Sequence, residues 1–335
     1  MERDDLNLIA DGLDRILSDA PLTAIDGHVG QGAEAKTLWA TFAEQGYPKL
    51  CANEAQEGFG GAIADIIPLA VLGARHALAV PLVDTMLATG LLSAAGLDAP
   101  EGRIGLLDPQ DAAAPLAYAA QLDFVLTLKD SHVRCHALNR HSINHVVGGE
   151  DGEGTLTAPL SDAQMACAAP DWLSPLAMRA LAALMRAAQM AGAMQMVLDL
   201  TLSYTQEREQ FGRPLARFQA IQHHLSDIAC ETAAAIAAVE LAGDALQADP
   251  ACGTATLEDI AIAKLRCGEA ASRVAAAAHQ AHGAMGFTRE YALGRYTRRL
   301  WQWQDQFGSS TYWAGQLGRA VLAEAEPSLW PRITR

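Results

Sequence analysis

The sequence predicts a mostly α-helical protein with a small central β domain: a helical N-terminal domain, a reduced β domain and a C-terminal four-helix bundle. Three observations carry this. Alanine is abundant and aromatics make up only 6% of the 335 residues, as suits helices packed closely together. Apolar residues recur at helical spacing on both sides of a single alternating, strand-like stretch. Glycine and proline punctuate the joins.

Residues 1–102 carry helical periodicity in "DLNLIADGLDRIL", in "AKTLWATFAEQGY" and in a long apolar stretch from Ile63 to Ala95, broken near Pro81. Residues 103–168 read differently. There "LDFVLTLKDSHVRCHAL" alternates and is rich in strand formers, and "VVGGEDGEGTL" follows as a turn-rich loop. From 169 to 335 the chain is helical again. Ser174-Pro175 is a start signal, because serine caps a helix and proline loses nothing in the first turn. The helix that follows is expected to run to about Gln206. A second is expected after Pro214, a third after Thr256 with Asp259 three residues on, and a fourth over the tryptophan-rich stretch to about Ala325. Four long amphipathic helices with short joins predict an antiparallel bundle.

Half of the residues are apolar and 19% are charged, the balance of a folded chain long enough for one large core or two to three subdomains. A formal net charge of −15 repels phosphate backbones and anionic lipid, so neither nucleic acid nor membrane is expected as a partner. A local basic pocket for an anionic cofactor is still allowed. The six cysteines (Cys51, Cys135, Cys167, Cys230, Cys252 and Cys267) form no CxxC pair, and no basic-then-apolar leader opens the sequence. Both features predict a cytoplasmic location. The most apolar stretch, about 176–200, contains Arg179, Arg186, Gln189 and Gln195, so a buried helix is expected there rather than a membrane span.

Two stretches are unusual. In "YTQEREQFGRPLARFQAIQHHLSD", residues 204–227, Arg208 ends a long helix, Phe211-Gly212 breaks it, Pro214 restarts the chain, and Gln219 lies one turn into the next helix. An arginine at such a corner can hold a phosphate or carboxylate, or simply pair with Glu207 or Glu209. In "QAHGAMGFTREY", residues 280–291, Gln280 and His282 flank Gly283 and Gly286, each glycine costing a helix roughly 1 kcal/mol against alanine. Either the helix ends there or something approaches the backbone. The cluster His132, Cys135, His136, His141 and His145 fits no standard closed metal site, and a strand would split it between faces, so no metal is expected. Trp301, Trp303 and Trp313 read as packing anchors, with stacking on an adenine as the alternative.

Together, "YTQEREQFGRPLARFQAIQHHLSDIA", "QAHGAMGFTREYALGRYTRRL" and the N-terminal "LWATFAEQGYPKL…EGFGGA" resemble the acyl-CoA dehydrogenase family, in the same order of zones and over nearly the whole chain. The resemblance implies FAD lying across a subunit interface. Arg208 would contact the pyrophosphate, with Phe211 in the same corner and Gln219 supporting it, while Gln280, Gly283, Ala284 and Gly286 pass close to the pyrophosphate and adenosine end. It also implies an acyl-CoA substrate, whose α-proton goes to a carboxylate base.

The pattern then breaks. The family's two positions for that base fall here at about Phe307 and near Ala182, and neither is acidic. Asp305 is the substitute at hand, about two positions off, which on a helix turns it to the opposite face. The β zone is short and lacks the family's "W-x-T/S-N" strand and its acidic "T-E-P/D" loop. The sequence therefore implies a subunit that lends FAD-binding residues to a homologous, longer, base-bearing partner, as a heterodimer or heterotetramer. Such short chains resemble partner subunits acting on steroid-like or other bulky CoA thioesters. The alternatives are a self-sufficient homo-oligomer using Asp305 and a scaffold that has lost flavin.

Overall fold

A computed structural model describes residues 1–20, 33–139, 142–145, 152–288 and 290–323. Helices α1 (Arg3–Asp19), α2 (Ala33–Glu44), α3 (Ile66–Arg75) and α4 (Leu82–Ala94) come first. Leu13 and Leu17, one turn apart on α1, bury the single apolar stripe of an otherwise charged helix. The break near Pro81 is real: its carbonyl accepts from the Thr85 amide and hydroxyl at the start of α4.

The alternating stretch forms a hairpin of β2 (Phe124–Lys129) and β3 (His132–Ala137). Asp130 and Ser131 both take positive φ, 52° and 56°, as a two-residue turn matched to strand twist requires. With β1 (Ile104–Leu106) and β6 (Met165–Ala168) these strands make a sheet in the order β1-β2-β3-β6. Only the β1–β2 pair is parallel. A second ladder joins β4 (Ile143–His145) to β5 (Gly154–Leu156). The end of "VVGGEDGEGTL", expected to be loop, is therefore strand, and residues 146–151 lie outside the described residues.

The C-terminal bundle is built on α5 (Pro175–Glu207). The Ser174 hydroxyl accepts from the Ala177 amide at 3.1 Å, and proline takes the first helical position, so the start signal works as its chemistry dictates. Helix α5 packs against α3, α6 (Gln219–Ala248), α7 (Thr254–His282) and α8 (Leu293–Trp303), and 83% of its most apolar window is buried. At the α3 crossing Gly192 is obligatory, because an added Cβ would stand 2.1 Å from the Val71 carbonyl oxygen.

Three expectations change. The second bundle helix starts at Gln219, after a two-residue ladder of β7 (Glu209–Gln210) with β8 (Arg213–Pro214) and a short 3-10 turn, so Gln219 is its first residue. The fourth helix is two, α8 and α9 (Ser310–Leu322), because Phe307 and Gly308 take positive φ (54° and 100°) and reverse the chain. The third helix begins two residues before Thr256.

Gly192→Ala is expected to destabilise the protein by about 1–3 kcal/mol, the scale of overpacking against immovable backbone. That outweighs the roughly 1 kcal/mol that alanine adds in helix propensity, and urea denaturation reads the difference.

Candidate functional site

Two surfaces bear on function. The first is a cleft of about 240 Å³ between the β zone and the turn at 304–309, lined by Leu106, Asp108, Leu116, Glu153, Gln306 and Phe307 among others. Opposite that turn, Arg179, Ala182, Arg186 and Gln189 recur every three or four residues on one face of α5. Arg186 is only 1% exposed. Its guanidinium donates to Asp84 Oδ2 at 2.8 Å, Gln189 Oε1 at 2.6 Å and Gln306 Oε1 at 2.5 Å, and sits 5.6 Å from the centre of the Phe307 ring. The other end of the Gln306 amide donates to the Glu153 carboxylate. This chain of bonds ties α4, α5, the turn and the β zone together across the cleft.

Arg179 forms a second bridge. It pairs with Asp108 at 3.0 Å, donates to Gln110 Oε1 at 2.9 Å and lies 4.2 Å from the centre of the Tyr312 ring. Burial pushes the Asp108 carboxyl up, while the Gln110 amide and Arg179 pull it back down. Asp108 was not among the sequence candidates, and its partner Arg179 lies far from it along the chain. Glu153 had no sequence signal: it sits in a glycine-rich run that reads as loop.

At the two positions expected for a base the side chains are the buried Phe307 and the buried Ala182. Asp305 lies in the turn rather than on a helix, so its direction follows from the turn and not from helical rotation. It is exposed at the rim of the cleft.

The second surface is at the far ends of α5 and α7. Arg208 caps the C-terminus of α5 and is exposed, with no ion pair to Glu207 or Glu209 among the described residues. Glu207 instead accepts from the Ser203 hydroxyl. Phe211, at the tip of the β7–β8 turn, is 92% exposed and takes a φ of 55°. Gln219, Gln280, Gly283 and Ala284 are exposed as well. Gly283 has φ 59° and ψ −140°, a conformation open essentially to glycine alone, and a Cβ there would meet nothing within 4 Å. Gly286 differs. It is buried, and a Cβ would come within 3.1 Å of His282 and Leu293, so this glycine serves packing and not an approach to the backbone.

The remaining candidates have structural duties. His136 sits between Thr127 and the Ser161 carbonyl, and Cys135 is buried on the other face of the strand from exposed His132. His141 lies outside the described residues. Among the described residues no group of three His, Cys, Asp or Glu could hold a metal. Trp303 and Trp313 are buried anchors, and the half-exposed Trp301 stacks with His279, which in turn stacks on Phe287.

A helical bundle, a small β zone and a cleft between them define the architecture of acyl-CoA oxidoreductases, and relatives agree. The profile described as "Acyl-CoA dehydrogenase, C-terminal domain" matches residues 176–321. Acyl-CoA dehydrogenase IpdE2 of Mycobacterium tuberculosis is 30% identical over 310 residues, covering 88% of this chain and 87% of that protein. Among solved structures, the ChsE4-ChsE5 complex from Mycobacterium tuberculosis aligns with a TM-score of 0.81 at 20% identity, over 97% of this chain and 99% of that one. The Tcur3481-Tcur3483 steroid ACAD aligns at 0.77 and 22% identity, over 95% and 98%. Butyryl-CoA dehydrogenase from Megasphaera elsdenii aligns at 0.74 and 18%, over 96% and 99%. The chain belongs to the acyl-CoA dehydrogenase family, an FAD-dependent class of oxidoreductases acting on acyl-CoA.

The two surfaces fit FAD unequally. The cleft is smaller than ordinary cofactor pockets, which run from about 300 Å³ upward, and the Gln306–Glu153 bond crosses it. The exposed Arg208 and the open backbone at Gly283 fit a phosphate group presented from outside. Asp84→Ala, which strands the Arg186 charge, is expected to lower stability by about 3–5 kcal/mol. The double variant Asp84→Leu with Arg186→Met should recover most of it, as read by urea denaturation at neutral pH.

Proposed function

We propose that this chain is a subunit of a heteromeric FAD-dependent acyl-CoA dehydrogenase, completing in trans the flavin site of a longer, base-bearing homologue. The observation that carries this is one contrast. Arg208, Gln280 and Gly283 are exposed, and among the described residues Arg208 has no ion pair, while Phe307 fills the place of the base. In this family FAD takes the hydride from the β-carbon as a carboxylate removes the α-proton.

The part left to this chain is binding. The Arg208 guanidinium supplies a planar fork of donors for pyrophosphate oxygens. Gly283 lets backbone come close where any side chain would intervene. Gln280 offers an amide beside it, and Phe211 an exposed ring. Arg186, Gln306 and Glu153 narrow the counterpart cleft by joining its walls.

A steroid-like or otherwise bulky acyl group is the substrate we favour. Two similar structures, the ChsE4-ChsE5 complex and the Tcur3481-Tcur3483 steroid ACAD, are pairs of proteins, which supports both the pairing and the substrate class. Six free cysteines, four of them buried, suit a cytoplasmic enzyme.

Expression with and without a homologous partner tests the reading. The chain alone is expected to purify colourless and the complex yellow, with desaturation of a bulky acyl-CoA only in the complex. Arg208→Ala should weaken FAD retention by the complex by about 2–4 kcal/mol, the scale for truncating a charge-assisted contact. A yellow, active chain purified alone and silenced by Asp305→Asn would instead establish a self-sufficient enzyme. A colourless complex would establish a scaffold.

A further inference from the structure

Lys264 on α7 is fully buried, and neither the cleft bridges nor the flavin-facing surface uses it. Its Nζ donates to the Trp303 carbonyl at 3.0 Å and the Gln304 carbonyl at 2.7 Å. These oxygens belong to the last residue of α8 and the first of the 304–309 turn, where a helix end leaves carbonyls without partners. The same turn carries Asp305, Gln306 and Phe307 to the cleft. Lys264 is thus the only lysine in contact with the hinge between α8 and α9 among the described residues, and it reaches that hinge from a different helix.

The number of acceptors matters. A neutral amine has two N–H groups and the site offers two carbonyls, whereas an ammonium brings a third hydrogen and a charge. The charged and titratable groups facing Nζ do not neutralise such a charge. Cys267, one turn along α7, stays a thiol because burial pushes it up to about 12. Arg186 and Arg179 approach from α5 and repel a cation. Asp305 attracts one from the turn, but it is exposed to water. We propose that Lys264 is a proton-coupled latch: the turn stays seated over the cleft with the amine uncharged, and release of the turn takes a proton onto Nζ.

The direction in pH follows from linkage. In the seated structure burial lowers the amine to about 7, and in an opened, solvated turn it returns to about 10.4. Between those values the open form binds more protons than the closed one, so closure strengthens as pH rises through that window. Falling pH favours opening down to about 7, and below that both forms are protonated and the dependence stops. This holds whether or not a partner supplies the flavin.

The chain has only four lysines, Lys36, Lys49, Lys129 and Lys264, so selective labelling can resolve them. In the full chain labelled with [13Cε]lysine, one NMR resonance is expected to titrate with a midpoint near 7. Lys264→Arg removes that resonance and assigns it. Hydrogen exchange at residues 304–309, corrected for the intrinsic rate, should show the opening constant falling by up to about tenfold per pH unit above 7 and level below. In Lys264→Met, neutral and of similar length, that slope should vanish. A Lys264 resonance that titrates at the ordinary lysine value of about 10.4 would overturn the latch, as would a level opening constant between pH 7 and 9 in the wild type. So would a slope that survives in Lys264→Met. The wild-type titration decides the matter even where a variant fails to fold.

Discussion

The placement of Arg186 governs the rest of the architecture. A guanidinium taken wholly out of water is tolerated only if every direction it points in finds an acceptor. Here three elements are pulled toward it at once: α4 through Asp84, its own helix through Gln189, and the turn through Gln306. Gln306 then reaches the β zone through Glu153. The cleft is narrow because its walls are joined by this one charge. An apolar side chain at 186 would leave Asp84 buried without its ion-pair partner, so neither member of the pair can change by itself without destabilising the fold.

That inner closure contrasts with the outer face. Arg208, Phe211, Gln280 and Gly283 gain little from their own chain: they are exposed, and two of them sit in backbone conformations with positive φ. Strained or exposed groups that fold stability does not require are where binding is usually found. The molecule thus puts its polar satisfaction inside, where chemistry would be expected, and its unsatisfied geometry outside, where another molecule can use it. Burial of Lys264 belongs to the inner half of this division.

What the sequence made legible follows from distance along the chain. The Ser174-Pro175 start, the break at Pro81 and the alternating pattern of the β2–β3 stretch are local effects, each decided by neighbouring residues. The split between α8 and α9 was not read from the sequence, because Leu300, Trp303 and Phe307 keep a helical spacing up to the break and Phe307 takes a backbone conformation that composition does not announce. Gly283 and Gly286 look alike in the sequence, but one faces open space and the other a histidine and a leucine. Arg186 and Asp84 are separated by 102 positions, and no spacing rule connects them. The absence of a carboxylate at the base positions was legible; what replaced it was not.

The wall that Arg186 builds also bears on reversibility in evolution. A glutamate restored at position 307 would arrive beside a guanidinium that is already committed, and the attraction between them would hold the new carboxylate ionised but too weakly basic to accept a proton from carbon. Useful chemistry would need Arg186, Asp84 and Gln306 to change in step, and removing either partner of the ion pair first passes through a poorly folded intermediate. Electrostatics thus ties these three positions into one unit of change.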